Sequence, residues 1–209
     1  MGRADTAHGA HAAGLFPVEA AAIARARPAR IAEFAAGRAA ARLAMAELGL
    51  SPCAVAMRPD RAPDWPAGVV GSIAHDGALC LAALSRAGDL RAIGIDTEPA
   101  LDLPADLIEE IATPHERAWL DGRDAGSRGR MARAIFVAKE ATYKALYPLS
   151  PQVVGFDAMQ VIPDAQLRGF AATLAIRFGP FAAGSVLNGR LGRAEGRIIA
   201  ALALPGAGH

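Results

Sequence analysis

Lysine is almost missing from this chain of 209 residues, because only Lys139 and Lys144 stand among its 22 basic residues. Cysteine is as rare: Cys53 and Cys80 are the only two, too few for a disulfide framework and without the spacing of a zinc site. No apolar run approaches the ~18 to 20 residues of a membrane span, and the first twenty residues lack the apolar core of a secretory signal. These absences predict a cytoplasmic protein with no membrane partner.

The charge balance excludes a general attraction to nucleic acid, since the formal net charge is only +1 at pH 7. We therefore expect any anion site to be a local cluster of residues. Hydrophobic residues make up 53% and charged residues 21% of the chain, which is typical of a globular protein. The length suits one large domain or two halves of about 100 residues each.

The order of the predicted elements favours an α+β fold with two similar lobes, each formed by helices packed on a small antiparallel sheet. Helices are predicted over 29–48, 103–112, 114–120 and 131–147, and strands over 78–84 and 91–98 and near 155–162, 171–178, 183–191 and 197–204. Strands 78–84 and 91–98 are expected to form a hairpin. We divide the chain into a mobile segment over 1–14, an N-terminal lobe over 15–112 and a C-terminal lobe over 113–209.

Two local motifs mark where elements begin and end. Thr113-Pro114-His115-Glu116 is a capping box, which predicts that a helix begins at Pro114. The stretch DGRDAGSRGR over 121–130 is predicted to be an exposed loop. Its arginines, with one further along, form a candidate docking patch for an acidic partner: Arg123, Arg128, Arg130 and Arg133.

The strand predicted over 91–98 ends with two acidic residues on one side. Asp96 and Glu98 are two positions apart, so their side chains share a face with carbons roughly 7 Å apart. Two carboxylates placed in this way can reach one cation. The alternative is an ordinary exposed strand end.

The helix predicted over 131–147 places Glu140 on an apolar stripe. The other members of that stripe are aromatic, namely Phe136, Tyr143 and Tyr147. A lone carboxylate in such a position needs a compensating cation. Lys144 lies one turn further on and could form a simple ion pair worth ~0.3 to 0.5 kcal/mol. The clustering of both lysines favours a second interpretation, because a compact ammonium fits between phosphate oxygens and a metal better than a planar guanidinium does.

Four segments, taken in order, resemble the 4′-phosphopantetheinyl transferases, particularly the monomeric class associated with siderophore and other nonribosomal peptide synthesis. They are Glu33-Phe34 with GRAAAR (37–42), RAPDWPAGVVGSIAH (61–75), GIDTE (94–98) and FVAKEATYKALYP (136–148). The resemblance implies that family's fold, with the active site at the interface of the two lobes. It also implies transfer of the 4′-phosphopantetheine arm of coenzyme A to a serine of an acyl, peptidyl or aryl carrier protein, with release of adenosine 3′,5′-bisphosphate.

The resemblance assigns the metal and the chemistry to one set of residues. Asp96, Glu98 and Glu140 would hold Mg²⁺, or Mn²⁺ in its place, against the coenzyme pyrophosphate. Glu140 would also act as the base for the serine hydroxyl. Lys139 and Lys144 would neutralise charge on the bridging phosphates.

A second set is assigned to the phosphates of coenzyme A. It contains Arg38, Arg42, Arg61 and His75, with Ser72 contributing a backbone amide near His75. From spacing alone, Arg38 and Arg42 could equally lie on a solvated helix face, and His75 could be an ordinary polar residue at a strand start. The residue before His75 is alanine, where the family carries Ser or Thr.

Two other functions are compatible with the same acids and lysines. One is a Mg²⁺-dependent nucleotide or coenzyme A phosphohydrolase, in which water replaces the serine. The other is a protein that binds coenzyme A without turnover.

Overall fold

A computed structural model describes residues 2–5 and 14–206 of the chain. Helices and antiparallel strands occur in separate groups within these ranges, which confirms the α+β class. The chain divides into two compact units. The first contains the residues up to Ile93 and those from Leu204 onward, and the second contains Gly94–Ala203. The boundary predicted from the sequence lies between residues 112 and 113 instead. The structural boundary falls inside a continuous strand, where no change of composition marks it.

The first unit contains a three-stranded antiparallel sheet packed against a long helix. Its elements are β1 (Gly2–Asp5), α1 (Pro17–Ala22), α2 (Pro28–Glu47), β2 (Ala56–Met57), β3 (Pro63–Asp64), β4 (Val69–His75), β5 (Leu79–Arg86) and the beginning of β6 (Leu90–Pro99). The sheet order is β1-β5-β4, and α2 packs on β1 and β5. Strand β1 lies in the segment expected to be mobile over 1–14. Residues 1 and 6–13 of that segment lie outside the described residues.

The predicted hairpin between β5 and β6 is wrong, because both edges of β5 are occupied by other strands. Strand β4 pairs with it along one edge and β1 along the other. Strand β4 comes from a stretch, 58–77, whose prolines and glycines predict a loop. Asp76 closes the hairpin that does form, since its carboxylate accepts hydrogen bonds from the backbone N–H groups of Ala78 and Leu79 at 3.1 and 2.9 Å.

The second unit contains a five-stranded sheet with helix α5 on it. Its elements are β6 from Gly94 onward, α3 (Ala105–Ile111), α4 (Pro114–Asp121), α5 (Ala125–Leu146), β7 (Met159–Pro163), β8 (Gly169–Leu174), β9 (Val186–Ala194) and β10 (Arg197–Pro205) as far as Ala203. The sheet order is β6-β10-β9-β8-β7, and α5 packs on β7, β8 and β9. The capping box is confirmed: the Thr113 hydroxyl accepts a hydrogen bond from Glu116 N, and Glu116 Oε2 accepts one from Thr113 N.

Helix α5 begins at Ala125 rather than near Met131, so it takes up part of the stretch predicted to be a loop. Gly129 does not end the helix. A Cβ at Gly129 would lie 2.5 Å from Asp102 Cβ, so the glycine allows the chain after β6 to pack closely on α5. Among the helices of the described ranges, none is both long enough and apolar enough to span a bilayer.

Strand β6 lies directly against α5 at Gly94. A Cβ added at Gly94 would overlap the backbone oxygen of Ala141 and the backbone nitrogen of Ala145. Only glycine therefore allows the strand and the helix to approach this closely. The contact fixes where the rest of β6 lies along α5.

We expect Gly94→Ala to lower the free energy of unfolding by about 2 kcal/mol or more, because backbone must move to admit the methyl group. Gly192→Ala is the matched control. Gly192 also lies in a strand, but a Cβ there meets nothing within 4 Å, so we expect a change within about 0.5 kcal/mol. Urea unfolding of both variants checks this, and a Gly94→Ala protein as stable as the parent would contradict the close packing.

Candidate active site

The carboxylates of Asp96 and Glu98 both reach basic side chains of helix α5. Lys144 Nζ lies 2.7 Å from Asp96 Oδ1, and Arg133 Nη1 lies 3.0 Å from Glu98 Oε2. Arg133, Glu140 and Lys144 follow each other at intervals of seven and four residues, so they lie on one stripe of the helix. Within the second unit, Asp96 and Glu98 of β6 therefore lie next to the stripe of α5 that carries Glu140.

Glu140 is half-buried and is the one acid of the three whose carboxylate forms no hydrogen bond or ion pair with the described residues. Burial raises the pKa of Glu140; the Lys144 ammonium opposes the rise, and the carboxylates of Asp96 and Glu98 add to it. The mutual influence places all three acids in one electrostatic neighbourhood. The site therefore carries more negative charge than its basic residues neutralise.

The donor set of this neighbourhood fits a hard divalent cation. Mg²⁺ prefers oxygen ligands such as the carboxylates of Asp96, Glu98 and Glu140, and it commonly shares its shell with water and phosphate. Across residues 2–5 and 14–206, no three acidic, His or Cys side chains already form a compact ion-binding cluster. Asp96 and Glu98 hold Lys144 and Arg133 instead, so a cation would compete with these ion pairs.

A cavity of about 260 Å³ opens beside Glu140. Apart from Glu140 and the neighbouring lysine, its lining is largely apolar: Lys139, Glu140, Tyr143, Val154, Gly155, Phe156 and Met159. The Phe156 ring packs against Phe136 of α5 with ring centres 5.9 Å apart. The site can therefore hold a slender, mostly apolar group next to a carboxylate.

Lys139 lies in the interior and not at the surface expected for a phosphate-binding residue. It is 1% exposed, and its ammonium contacts Glu116 Oε2 at 2.8 Å, Ile111 O at 2.9 Å and Phe156 O at 2.7 Å. Burial lowers the pKa of Lys139, and the Glu116 carboxylate opposes that effect. The three N–H groups of the ammonium thus have three protein acceptors.

Arg38 and Arg42 of the first unit both have protein partners. Arg38 is buried, donates to the backbone oxygens of Val55 and Ala56 at 2.8 and 3.3 Å, and has a pKa lowered by burial to about 10. Arg42 contacts both oxygens of the buried Glu19 carboxylate at 3.1 Å. These contacts stabilise the first unit, and they place neither guanidinium on a fully solvated face.

The remaining predicted residues of the first unit lie on β4 and the loop before it. His75 is partly exposed at the end of β4, with Nε2 3.3 Å from Arg30 Nη1 and Nδ1 4.0 Å from Glu33 Oε2. Ser72 is buried in the same strand, and Arg61 is exposed at a left-handed φ of 68°. Arg30 was not predicted as a site residue from the sequence, yet its guanidinium lies beside the His75 ring, so two basic side chains stand together here.

The candidate docking arginines differ in how firmly they are held. Arg133 binds Glu98 and donates to the backbone oxygens of Leu101 and Asp102, so it clamps the chain after β6. Arg128 pairs with Asp121. The two exposed members, Arg123 on the Trp119 ring and Arg130 near Gly126, have only local partners among the described residues.

Two residues of this region were missed as site residues by sequence reasoning. Glu116 was identified only as a capping residue, and Arg133 only as part of a surface patch. The spacing of Arg133 from Glu140, two helical turns, could have placed it on the same face. Nothing local in the sequence indicates that Glu116 pairs with a lysine 23 residues away (139 − 116 = 23).

Comparison with known proteins gives two family matches that together cover most of the chain. Residues 18–85 match the 4′-phosphopantetheinyl transferase N-terminal domain, and residues 92–201 match the 4′-phosphopantetheinyl transferase superfamily. The second match contains all three acids and both lysines. The chain therefore belongs to the 4′-phosphopantetheinyl transferase superfamily, which confirms the resemblance seen in the sequence.

Curated relatives agree with this assignment. The chain is 40% identical over 194 residues to the 4′-phosphopantetheinyl transferase Svp of Streptomyces mobaraensis, covering 91% of this chain and 78% of that protein. It is 33% identical to the 4′-phosphopantetheinyl transferase PptT of Mycobacterium tuberculosis, covering 90% and 85%. It is 35% identical to enterobactin synthase component D of Escherichia coli K12, covering 71% and 73%. The enzyme class is that of a 4′-phosphopantetheinyl transferase.

We expect Glu140→Gln to raise the free energy of unfolding of metal-free protein at pH 7, by about 1 kcal/mol, because it removes a partly buried charge that forms no hydrogen bond or ion pair within residues 2–5 and 14–206. The sign follows from the raised pKa: the wild-type carboxyl is charged above its folded pKa and costs stability there. Below the ordinary Glu pKa both side chains are neutral, so the difference should vanish. Unfolding across pH in chelator checks this, and a variant less stable at pH 7 would contradict it.

Proposed function

We propose that this enzyme transfers the 4′-phosphopantetheine arm of coenzyme A to a serine of an apo carrier protein, with Mg²⁺, and releases adenosine 3′,5′-bisphosphate. The observation that carries the proposal is the Glu140 carboxylate, which has no hydrogen-bond partner among the described residues. It lies near Asp96 and lines a largely apolar cavity. A cytoplasmic location stays a prediction from the sequence, and a monomeric state stays what the resemblance to the monomeric class implies.

The residues of the second unit suit the steps of this reaction. The serine oxygen attacks the phosphorus that carries the arm, the bond from that phosphorus to the bridging oxygen breaks, and the nucleotide leaves. Glu140 is the proposed acceptor of the serine proton. A cation bound to its carboxylate would lower the pKa of Glu140, so proton removal would depend on the position of this side chain, either directly or through a relaying water. Bound at Asp96, Glu98 and Glu140, Mg²⁺ would neutralise charge on the pyrophosphate.

Lys144 is the lysine that can meet the substrate. Its side chain is 30% exposed, whereas that of Lys139 is 1% exposed. Because phosphoryl transfer depends mainly on positioning and charge neutralisation, one accessible ammonium next to the acids is well placed for the pyrophosphate. The cavity beside Glu140 has the lining expected for the pantetheine arm, and in the first unit the Arg30–His75 pair is the proposed contact for a coenzyme phosphate.

The first test is incubation with coenzyme A, Mg²⁺ and a panel of apo carrier proteins, followed by mass spectrometry of the carriers. We expect one carrier to gain a single phosphopantetheine, and Glu140→Gln to lose nearly all of that transfer. Glu109→Gln is the control, because Glu109 is an exposed glutamate of α3 in the same unit. Cleavage of coenzyme A without any modified carrier would favour a hydrolase, and binding without turnover would favour a coenzyme-binding protein.

The second test separates metal binding from turnover. We expect Mg²⁺ to raise the melting temperature of the wild-type protein, since a ligand at about 100 times its Kd adds about 2.7 kcal/mol of stability. Asp96→Asn and Glu98→Gln should each remove most of that shift, and Glu109→Gln should keep it. Equal Mg²⁺ shifts in all four proteins would contradict the proposed ligands.

A further inference from the structure

The Glu116 carboxylate is fully buried and joins three elements of the second unit. Its Oε2 accepts a hydrogen bond from Thr113 N at 2.6 Å and contacts Lys139 Nζ at 2.8 Å, and its Oε1 accepts one from Val161 N at 2.6 Å. The contacts tie the start of α4 to α5 and to β7. Removing one partner of such a buried pair leaves an uncompensated charge.

Lys139 extends this network to the cavity. Besides Glu116, its ammonium donates to the backbone oxygen of Ile111 at the end of α3 and to that of Phe156. Phe156 lines the cavity, and Glu140 follows Lys139 directly on α5 and lines the same cavity. The Glu116–Lys139 pair thus connects the chain on one wall of the cavity to the helical turn that carries the carboxylate.

The first unit contains a matching arrangement of a buried glutamate and a basic side chain. Glu19 is also fully buried at the third position of a helix that begins with proline, and it accepts a hydrogen bond from Val55 N at 2.8 Å. Its basic partner, Arg42, lies 23 residues further on, the same separation as between Glu116 and Lys139. Arginine therefore suits the structural role of this pair.

The difference between the two pairs lies in the third acceptor. The Arg42 guanidinium contacts the two oxygens of Glu19 side by side and the Gly14 oxygen. The Lys139 ammonium instead contacts three oxygens from three separate segments, an arrangement that suits a compact rotatable donor better than a rigid planar fork. Of the two lysines in this chain, Lys139 is the one whose ammonium also holds the Phe156 segment.

We propose that Glu116 and Lys139 together are positioning residues of the transfer site, whose ion pair holds the Phe156 wall of the cavity in place relative to Glu140. The inference rests on the proposed function. This positioning role differs from a direct contact between Lys139 and the phosphates. If the ion pair positions the cavity wall, loss of Glu116 should lower kcat as much as loss of Lys139. Neither side chain needs to touch the substrate.

The test is steady-state kinetics of Glu116→Gln, Lys139→Met and the double variant, with coenzyme A and a carrier that the wild type modifies. We expect each single variant to lower kcat about tenfold or more, with the KM for coenzyme A changed less than about twofold. The double variant should be no slower than the slower single one, because both changes break one unit. Glu19→Gln is the matched control, expected to lose stability but keep the wild-type kcat.

Several outcomes would overturn the inference while leaving the transfer activity established. They are a Glu116→Gln enzyme with wild-type kcat, multiplicative losses in the double variant, or a raised KM for coenzyme A in Lys139→Met alone. If Glu116→Gln does not fold, Lys139→Arg is the deciding variant, because it keeps the positive charge. We expect it to lower kcat without changing the KM for coenzyme A. A wild-type kcat in Lys139→Arg would overturn the inference. A wild type that modifies no carrier would instead overturn the proposed function.

Discussion

The candidate site depends on one backbone contact, the approach of β6 to α5 at Gly94. Because Gly94 has no side chain, the strand lies directly on the helix backbone near Ala141. Two residues further on, Asp96 reaches Lys144, and the alternation of the strand brings Glu98 to the same face. A strand held farther from the helix by even one methyl group would separate these acids from Glu140.

The same contact creates an electrostatic imbalance. Two basic side chains neutralise two of the three acids, and Glu140 is left half-buried with a raised pKa. Such an imbalance costs stability in the free protein and is typical of functional sites, where charge is held ready for a ligand. Under the proposed function, that ligand is a divalent cation together with the pyrophosphate of coenzyme A.

Sequence reasoning predicted what depends on local periodicity. The helix around Glu140, the strand that ends in two acids and the capping box at Thr113 follow from spacings of two to four residues, and all three occur. Sequence reasoning failed where contacts between distant segments of the chain decide the structure. The pairing of β5 with β4 and β1 and the burial of Lys139 against Glu116 are decided by tertiary packing. The rarity of lysine did point to position 139, and in the structure its ammonium contacts three protein oxygens.

The central claim is that Asp96, Glu98 and Glu140 bind one divalent cation. A crystal structure of the enzyme grown with Mn²⁺ and coenzyme A tests this most directly, because the anomalous signal of manganese locates the ion independently of its ligands. The account predicts one ion bound by carboxylate oxygens of all three residues, with Lys144 moved from Asp96 toward phosphate. An ion bound elsewhere, or a Lys144–Asp96 pair still intact beside bound coenzyme, would contradict it.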